Sequence, residues 1–240
     1  MCAFPFEISK NRTTYKVTFL QSVFLKMEYD PRKETSSKFA HFFKDTFGID
    51  IDVRQYNVKN TDAIRLRAAN GSLRFKISND TIEFIISGES YINFEKSLRP
   101  YIEKIANYLS DIQSSINNLS IEKINIWPLI NGNVDDPDDF INVIISSDLR
   151  DTQENNKKEI SFIEYSDPQF QDSLLIRFGY IPFTAQRKEQ PSRIILDTLC
   201  KHDSVISPEN LIPAAIRLND ILYSAYHWSV TENVIKSMKL

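Results

Sequence analysis

Residues 63–77 read AIRLRAANGSLRFKI, two runs of alternating apolar and basic residues joined through Asn70-Gly71. Alternation at period two is typical of a β-strand with one buried face. Asn-Gly tolerates the positive φ angles of a tight hairpin, so the two runs are expected to pair antiparallel. Similar runs at 51–57 and 82–87 extend this prediction to a four-stranded meander.

The segments on either side of the meander predict a strand and two helices. Alternation over residues 13–28 indicates a long strand, and aromatic residues after Ser36 or Ser37 share one face of a short helix that ends at Gly48. Beyond the meander, apolar residues from Phe94 to Ile116 recur at three- and four-residue steps, which predicts a long helix. Pro100 either kinks this helix or marks its true start.

The second half of the chain repeats this order of elements. A strand is expected at 121–130, and the acidic run 135–139, with a proline inside it, is typical of the start of a helix. Three further strands are expected at 160–165, 174–181 and 193–200, and a long helix at about 208–236.

The fold predicted from this pattern is α+β. Two pseudo-repeats, 1–119 and 120–240, each contain a strand, a short helix, an antiparallel meander of three or four strands and a long helix. Together they are expected to form one compact unit, a curved antiparallel sheet backed by the long helices. This order resembles the TATA-binding-protein-like fold, and the alternative is a helix-grip arrangement in which the sheet wraps the last helix.

Composition narrows the classes of partner. The 240 residues carry a net charge of −3 from 29 basic and 32 acidic residues, so no bulk positive field draws the protein to nucleic acid or to anionic lipid. The start of the chain does not resemble a signal peptide, and no stretch approaches the roughly 18 apolar residues of a membrane span. We therefore expect a cytoplasmic protein without a disulfide framework, since it has only Cys2 and Cys200.

Three local patterns resemble a sporadically distributed bacterial family of about 250 residues with no settled activity. The boxes are Tyr91-Ile-Asn-Phe94-Glu, then Ile124-Asn-Ile-Trp-Pro-Leu-Ile-Asn131, then Leu218-Asn219 with Tyr226 and Val230-Thr231. Trp127 and Pro128 replace the Arg-Tyr pair of the family's strand motif, and Asn219 replaces its histidine. The resemblance implies a bacterial origin and a mobile-element or phage-defence setting.

The chemistry-bearing residues predict no catalytic, metal or cofactor site. Cys200 and His202 are two apart on a strand or turn, where the geometry of a nucleophile and its base is rarely reached. The aspartates at 135–139 are better explained as helix-capping carboxylates than as cation ligands. His41 and His227 are not spaced with another histidine as metal ligands are.

The candidate binding surface is the basic face of the meander. Because the apolar members of residues 63–77 point inward, their basic neighbours point outward. These are Arg65, Arg67, Arg74 and Lys76, with Arg177 and Arg193 as an extension in the second half. Glu83, Glu164 and Asp197 interrupt the patch, and a merely solvated sheet face is the plainer alternative.

The leading hypothesis from sequence is a non-catalytic binding or adaptor protein with a protein partner. An acidic peptide, a nucleotide-like molecule or a nucleic-acid backbone would each suit the basic face. Nucleic-acid or nucleotide binding on the saddle of the sheet is the second hypothesis, and an enzyme with an unrecognised site is the third. A homo-oligomer is left open, and no membrane partner is expected.

Overall fold

The structure is a computed structural model that describes residues 4–10, 12–15, 19–30, 54–58, 61–67, 72–78, 80–128, 141, 159–181 and 193–239. The strands in this part of the chain are β1 Leu20–Tyr29, β2 Arg54–Val58, β3 Thr61–Arg67, β4 Leu73–Ile77, β5 Thr81–Ser87, β6 Ile116–Pro128, β7 Glu159–Asp167, β8 Asp172–Ile181 and β9 Arg193–His202. The α-helices are α1 Phe94–Ser97, α2 Arg99–Asp111, α3 Leu211–Ser229 and α4 Glu232–Ser237, and 3₁₀ turns lie at Gly88–Ser90 and Pro208–Asn210.

The described strands form a sheet in the order β2-β3-β4-β5-β1-β6-β9-β8-β7. The pairs β2–β3, β3–β4, β4–β5, β1–β5 and β7–β8 are antiparallel. The chain is therefore a mixed α and β protein with an antiparallel sheet. The four-stranded meander predicted around residues 63–77 is confirmed as β2 to β5.

The chain divides into two compact units built from discontinuous segments. The first unit comprises residues 1–21, 122–200 and 219–240, and the second comprises 22–121 and 201–218. Both β6 and α3 continue from one unit into the other along the chain. The halves predicted at 1–119 and 120–240 describe a repeated order of elements along the sequence and not these two units. That repeat stays a prediction.

The core of the second unit forms where the meander meets α2. Leu73, Phe75 and Ile77 are buried on β4 whereas Arg74 between them is exposed, which confirms the predicted alternation. The Phe75 ring lies 5.3 Å from the Phe84 ring and 5.8 Å from the Tyr101 ring, measured between centroids. Burying an aromatic or a branched aliphatic side chain contributes about 1.5–3 kcal/mol, so this cluster anchors α2 on the sheet.

The predicted long helix after the meander ends earlier than its apolar pattern indicated. Pro100 is in the first turn of α2, which supports the true-start interpretation, and Asn93 caps α1 ahead of it. Gln113 has a φ of 52°, and the backbone bonds Gln113 N–Ser110 O and Ser114 N–Leu109 O close the helix end. This is the Schellman arrangement, so Ile116 belongs to β6 and not to the helix.

Near both ends of the chain, the structure gives shorter elements than the sequence predicts. The first strand begins at Leu20 and not at Thr13, because residues 12–15 are not in a strand. The last helix is broken at Val230-Thr231 into α3 and α4.

The short helices predicted after Ser36 and within the acidic run 135–139 lie outside the described residues. Among the described helices, none is long and apolar enough to cross a membrane.

Candidate functional site

The meander brings four of the predicted basic positions into two directly opposed pairs. Arg65 is the register partner of Lys76, and Arg67 is the register partner of Arg74. The Lys76 ammonium lies 3.2 Å from the Glu83 carboxylate on β5, and Arg74 is exposed. The predicted interruption by Glu83 is therefore a direct ion pair with Lys76. Among the basic side chains that the structure describes on this face, Arg74 is the more accessible.

Arg177 and Arg193 lie in the first unit, where Arg177 is heavily paired. Its guanidinium forms an ion pair with Glu122 of β6 and a second with Asp197 of β9, the latter at 2.6 Å. Since β6, β9 and β8 are neighbours in that order, the three side chains form a network across three strands. Arg193 is half-buried on β9. The Arg177 charge is thus balanced within the protein and not presented to an anionic partner.

The carboxyl group of Asp197 has an unusually high pKa. Burial raises its pKa to about 7, and the neighbouring charge of Glu122 acts in the same direction against the Arg177 guanidinium. Two carboxylates that share one arginine repel each other, so a proton held by the pair relieves that repulsion. The network therefore changes its charge near neutral pH.

The β7–β8 hairpin exposes large apolar side chains, and most of its charged residues are acidic. Phe162 is 68% exposed, Ile160 is 51% exposed and Phe170 is 44% exposed. Residues 159–172 include Glu159, Glu164, Asp167 and the buried Asp172, and Arg177 on β8 is the register partner of Phe162. β7 is the last of the described strands in the sheet order. We call this strand, with its exposed Ile160 and Phe162 side chains, the β7 edge.

A second group of polar contacts lies between the N-terminal segment, β6 and α3. The Arg12 guanidinium donates to the Asp220 carboxylate at 2.5 Å, and the Lys123 ammonium donates to the side-chain carbonyl of Asn219 at 2.7 Å. Burial lowers the pKa of Lys123 to about 7, with the Arg12 charge adding to the effect and Asp220 opposing it. Asn219 is thus a hydrogen-bond partner of a half-buried lysine.

His227 is enclosed by tyrosines on the same side of α3. The Tyr15 hydroxyl lies 2.7 Å from His227 Nε2, and the Tyr223 ring centroid lies 4.4 Å from that of the imidazole. Burial lowers the pKa of His227, and the charge of Lys239 lowers it further. In a neutral imidazole one ring nitrogen donates and the other accepts, so the tautomer decides whether the Tyr15 hydroxyl donates to Nε2 or accepts from it.

Cys200 and His202 lie two residues apart at the end of β9. Cys200 is fully buried, and His202 Nε2 lies 2.6 Å from the Ser204 hydroxyl. No group of three or more metal-ligating side chains occurs among the described residues. The aspartates at 135–139 and His41 lie outside them.

Sequence reasoning missed both the β7 edge and the group around Lys123. A signal for the β7 edge was present, since the exposed phenylalanines lie in a segment, 159–172, with four acidic residues and no basic residue, although Arg177 follows on β8. The group around Lys123 has no local signal, because its residues come from three distant segments. No protein-family model matches this chain, and no curated protein matches it.

Proposed function

We propose that the protein is a non-catalytic binding protein that recognises a basic, apolar segment of a partner protein along the β7 edge. The observation that carries this proposal is the exposure of Phe162 at 68% on the last described strand of the sheet. Solvent contact with so large an apolar side chain is unfavourable, and covering it with a partner releases that cost.

The position of β7 favours a partner segment that is extended. A strand at the end of a sheet offers backbone N–H and C=O groups along its outer side, and an extended peptide can pair with them. Because side chains alternate along a strand, Ile160, Phe162 and Glu164 are on one face of β7. A paired segment with alternating apolar residues would then cover the two exposed apolar side chains.

The charge of the hairpin indicates which side chains such a segment has. On β7, Glu164 is exposed and Asp167 is half-buried, and Arg177, which lies opposite Phe162, is paired with two carboxylates. Lysine or arginine in the partner would therefore be attracted. This differs from the acidic partner that the basic meander face predicts. Among the described side chains, Arg74 is the exposed member of the predicted set. Lys76 is paired with Glu83, Arg177 is paired with two carboxylates, and Arg193 is half-buried.

Nucleic-acid binding is a weaker proposal for the same reasons. A phosphate backbone is bound through several uncompensated lysines and arginines, whereas Lys76 and Arg177 are neutralised within the protein and the net charge is −3. The two pseudo-repeats, the curved sheet with helices on its back, the cytoplasmic location and the bacterial defence setting stay predictions that accompany this proposal.

Synthetic peptides test the proposal directly. The probe is a labelled eight-residue peptide of alternating lysine and valine, compared by fluorescence anisotropy with its glutamate–valine counterpart. We expect saturable binding of the lysine peptide only, and a loss of about tenfold in affinity for Phe162→Lys, which replaces an apolar contact by a like charge. The matched control is Ile92→Lys, because Ile92 is also exposed, at 57%, but lies in the second unit.

Two results would overturn the proposal. One is equal binding of both peptides, or equal loss in Phe162→Lys and Ile92→Lys. The other is self-association of the wild-type protein, measured by light scattering after size exclusion, that Phe162→Lys abolishes and Ile92→Lys does not. In that case a second copy of the chain, and not a partner protein, covers the β7 edge.

A further inference from the structure

A cavity of about 380 Å³ lies in the first unit where the N-terminal segment meets α3. It is lined by Phe6, Glu7, Ser9, Tyr223, Ser224, His227 and Trp228. Four of these seven side chains are aromatic, and each of the four is half-buried. A cavity of this size is within the range of small-ligand sites, and none of its lining residues belongs to the β7 edge.

The aromatic walls of the cavity are held in place by other rings. Phe6 stacks on Phe4 with centroids 5.7 Å apart and planes 7° from parallel, and it lies 6.1 Å from Trp228. Trp228 in turn meets the Tyr165 ring edge-on at 6.4 Å. Such packing fixes the rings before a ligand arrives, which reduces the entropy lost on binding.

Hydrogen bonds hold the N-terminal segment against α3. The Ser9 amide donates to the Ser224 hydroxyl at 2.9 Å, and the Thr13 amide donates to the Tyr223 hydroxyl at 3.0 Å. The ion pair between Arg12 and Asp220 lies between these two contacts along the segment. The cavity is therefore formed by fixed backbone on one side and a helix on the other.

The charge of the lining is negative. Glu7 is exposed and supplies the carboxylate, and the lining contains no lysine or arginine. His227 adds no positive charge at neutral pH, because burial lowers its pKa from an ordinary value that is already below 7. Lys239 and Lys236 line a different cavity on another side of His227, together with Glu232.

We propose that this cavity binds a methylated ammonium cation between its aromatic rings, with the Glu7 carboxylate at its rim. The negative faces of aromatic rings attract a cation, and tryptophan and tyrosine do so more strongly than phenylalanine. Methyl groups spread the charge over an apolar surface that needs no hydrogen-bond acceptors, so the aromatic walls replace water at low cost. A primary ammonium, which needs such acceptors, fits these walls less well.

The first experiment uses the intrinsic fluorescence of Trp228. The substitution Trp127→Phe leaves Trp228 as the only tryptophan, since the chain has two. The probes are choline and its neutral isostere 3,3-dimethyl-1-butanol, which has a carbon atom in place of the nitrogen. We expect saturable quenching by choline and about tenfold weaker binding of the alcohol, as cation–π attraction supports. Titration calorimetry of the wild-type protein with both probes gives the same comparison without any substitution.

The second experiment assigns the binding to the named residues. We expect Trp228→Leu to weaken choline binding about tenfold by calorimetry, and Glu7→Gln to weaken it about threefold without affecting the alcohol. The matched control is Glu232→Gln, which removes a carboxylate beside the other cavity. Comparing choline with N-acetyl-trimethyllysine amide shows whether a free small molecule or a modified protein side chain is the better source of the cation.

Three outcomes would contradict the proposal. Equal affinity for choline and for the neutral alcohol would show a merely apolar cavity. Unchanged choline binding in Trp228→Leu, or equal effects of Glu7→Gln and Glu232→Gln, would place the cation elsewhere. Absence of binding by either cation in wild-type calorimetry would exclude the site.

Discussion

Asp220 balances two cations at once, which makes it a sensitive position in the first unit. It is 6% exposed, it accepts from Arg12, and its charge opposes the lowering of the Lys123 pKa. We expect Asp220→Asn to reduce the free energy of unfolding by about 2 kcal/mol, because it removes the enclosed carboxylate that pairs with Arg12 and favours the charged form of Lys123. Urea denaturation followed by circular dichroism measures the change.

The control for Asp220→Asn is an ion pair of the same type on the surface. Glu232 pairs with Lys236 one turn further along α4, and the two side chains are 88% and 71% exposed. Glu232→Gln is expected to change the stability by less than about 0.5 kcal/mol, since solvent screens the pair. Similar losses in both variants would mean that enclosure does not strengthen the pair of Arg12 and Asp220.

Asp197 gives the stability of the protein a dependence on pH. Burial raises its pKa to about 7, so between about 4 and 7 the folded state holds a proton that the unfolded state has lost. Its contribution to the free energy of unfolding therefore falls as the pH rises through this window. We expect Asp197→Asn to gain stability relative to the wild type between pH 5 and pH 8, measured by urea denaturation at each pH. A difference that stays constant with pH, or declines, would show that the folded state does not retain this proton.

Which charged side chains pair with each other could not be predicted from the sequence. The sequence singled out Arg177 as basic and Asp197 as an interruption on the same face, and the structure joins them in one ion pair. Glu122 and Arg177 are 55 positions apart, and Lys123 and Asn219 are 96 positions apart. Local patterns contain no information on contacts of such separation, so the charge balance of Arg177 could not be read from the sequence.

Among the elements, the start of α1 depends on one side chain. The Asn93 side-chain oxygen accepts from the Lys96 amide at 2.9 Å, which satisfies a donor that the first turn leaves unpaired. We expect Asn93→Ala to reduce the free energy of unfolding by about 1 kcal/mol in urea denaturation. Asn93→Asp keeps an acceptor, so its free energy of unfolding should differ from that of the wild type by only a few tenths of a kcal/mol. An aspartate as damaging as the alanine would mean that the capping bond does not stabilise the helix.

The strands β4 and β5 were predicted closely because their signal is local. The β4 bounds, Leu73–Ile77, match the alternating run, and β5 differs from its prediction by one residue. The end of α2 was missed because Gln113, and not a glycine, takes the left-handed conformation there. Tyr15 was assigned to the first strand because it continues the alternation, yet its hydroxyl pairs with His227 of α3. Periodicity cannot distinguish a tyrosine that lies in a strand from one that lies outside a strand and contacts a distant helix.

At the scale of the whole molecule, the two units cannot be obtained by a single cut of the chain. The first unit combines the N-terminal segment with residues 122–200 and 219–240, and the second also consists of two segments. The sequence showed the order of the elements but not which distant segments join. Proximity of residues 4–15 to α3 depends on long-range contacts, among them those of Ser9 and Arg12.

This organisation predicts that the N-terminal segment stabilises the first unit although it contains no helix or strand up to residue 15 in its described part. Deleting residues 1–15 removes the contacts of Ser9, Arg12 and Tyr15 with α3 and takes the Phe6 ring away from Trp228. In the Trp127→Phe background we expect the Trp228 emission to shift to longer wavelength, because its indole gains contact with water. The midpoint of urea unfolding should fall in the same variant. The substitution Lys10→Ala, at an exposed position of the same segment, should change neither quantity. An unchanged emission maximum after the deletion would mean that the segment does not cover Trp228 in solution.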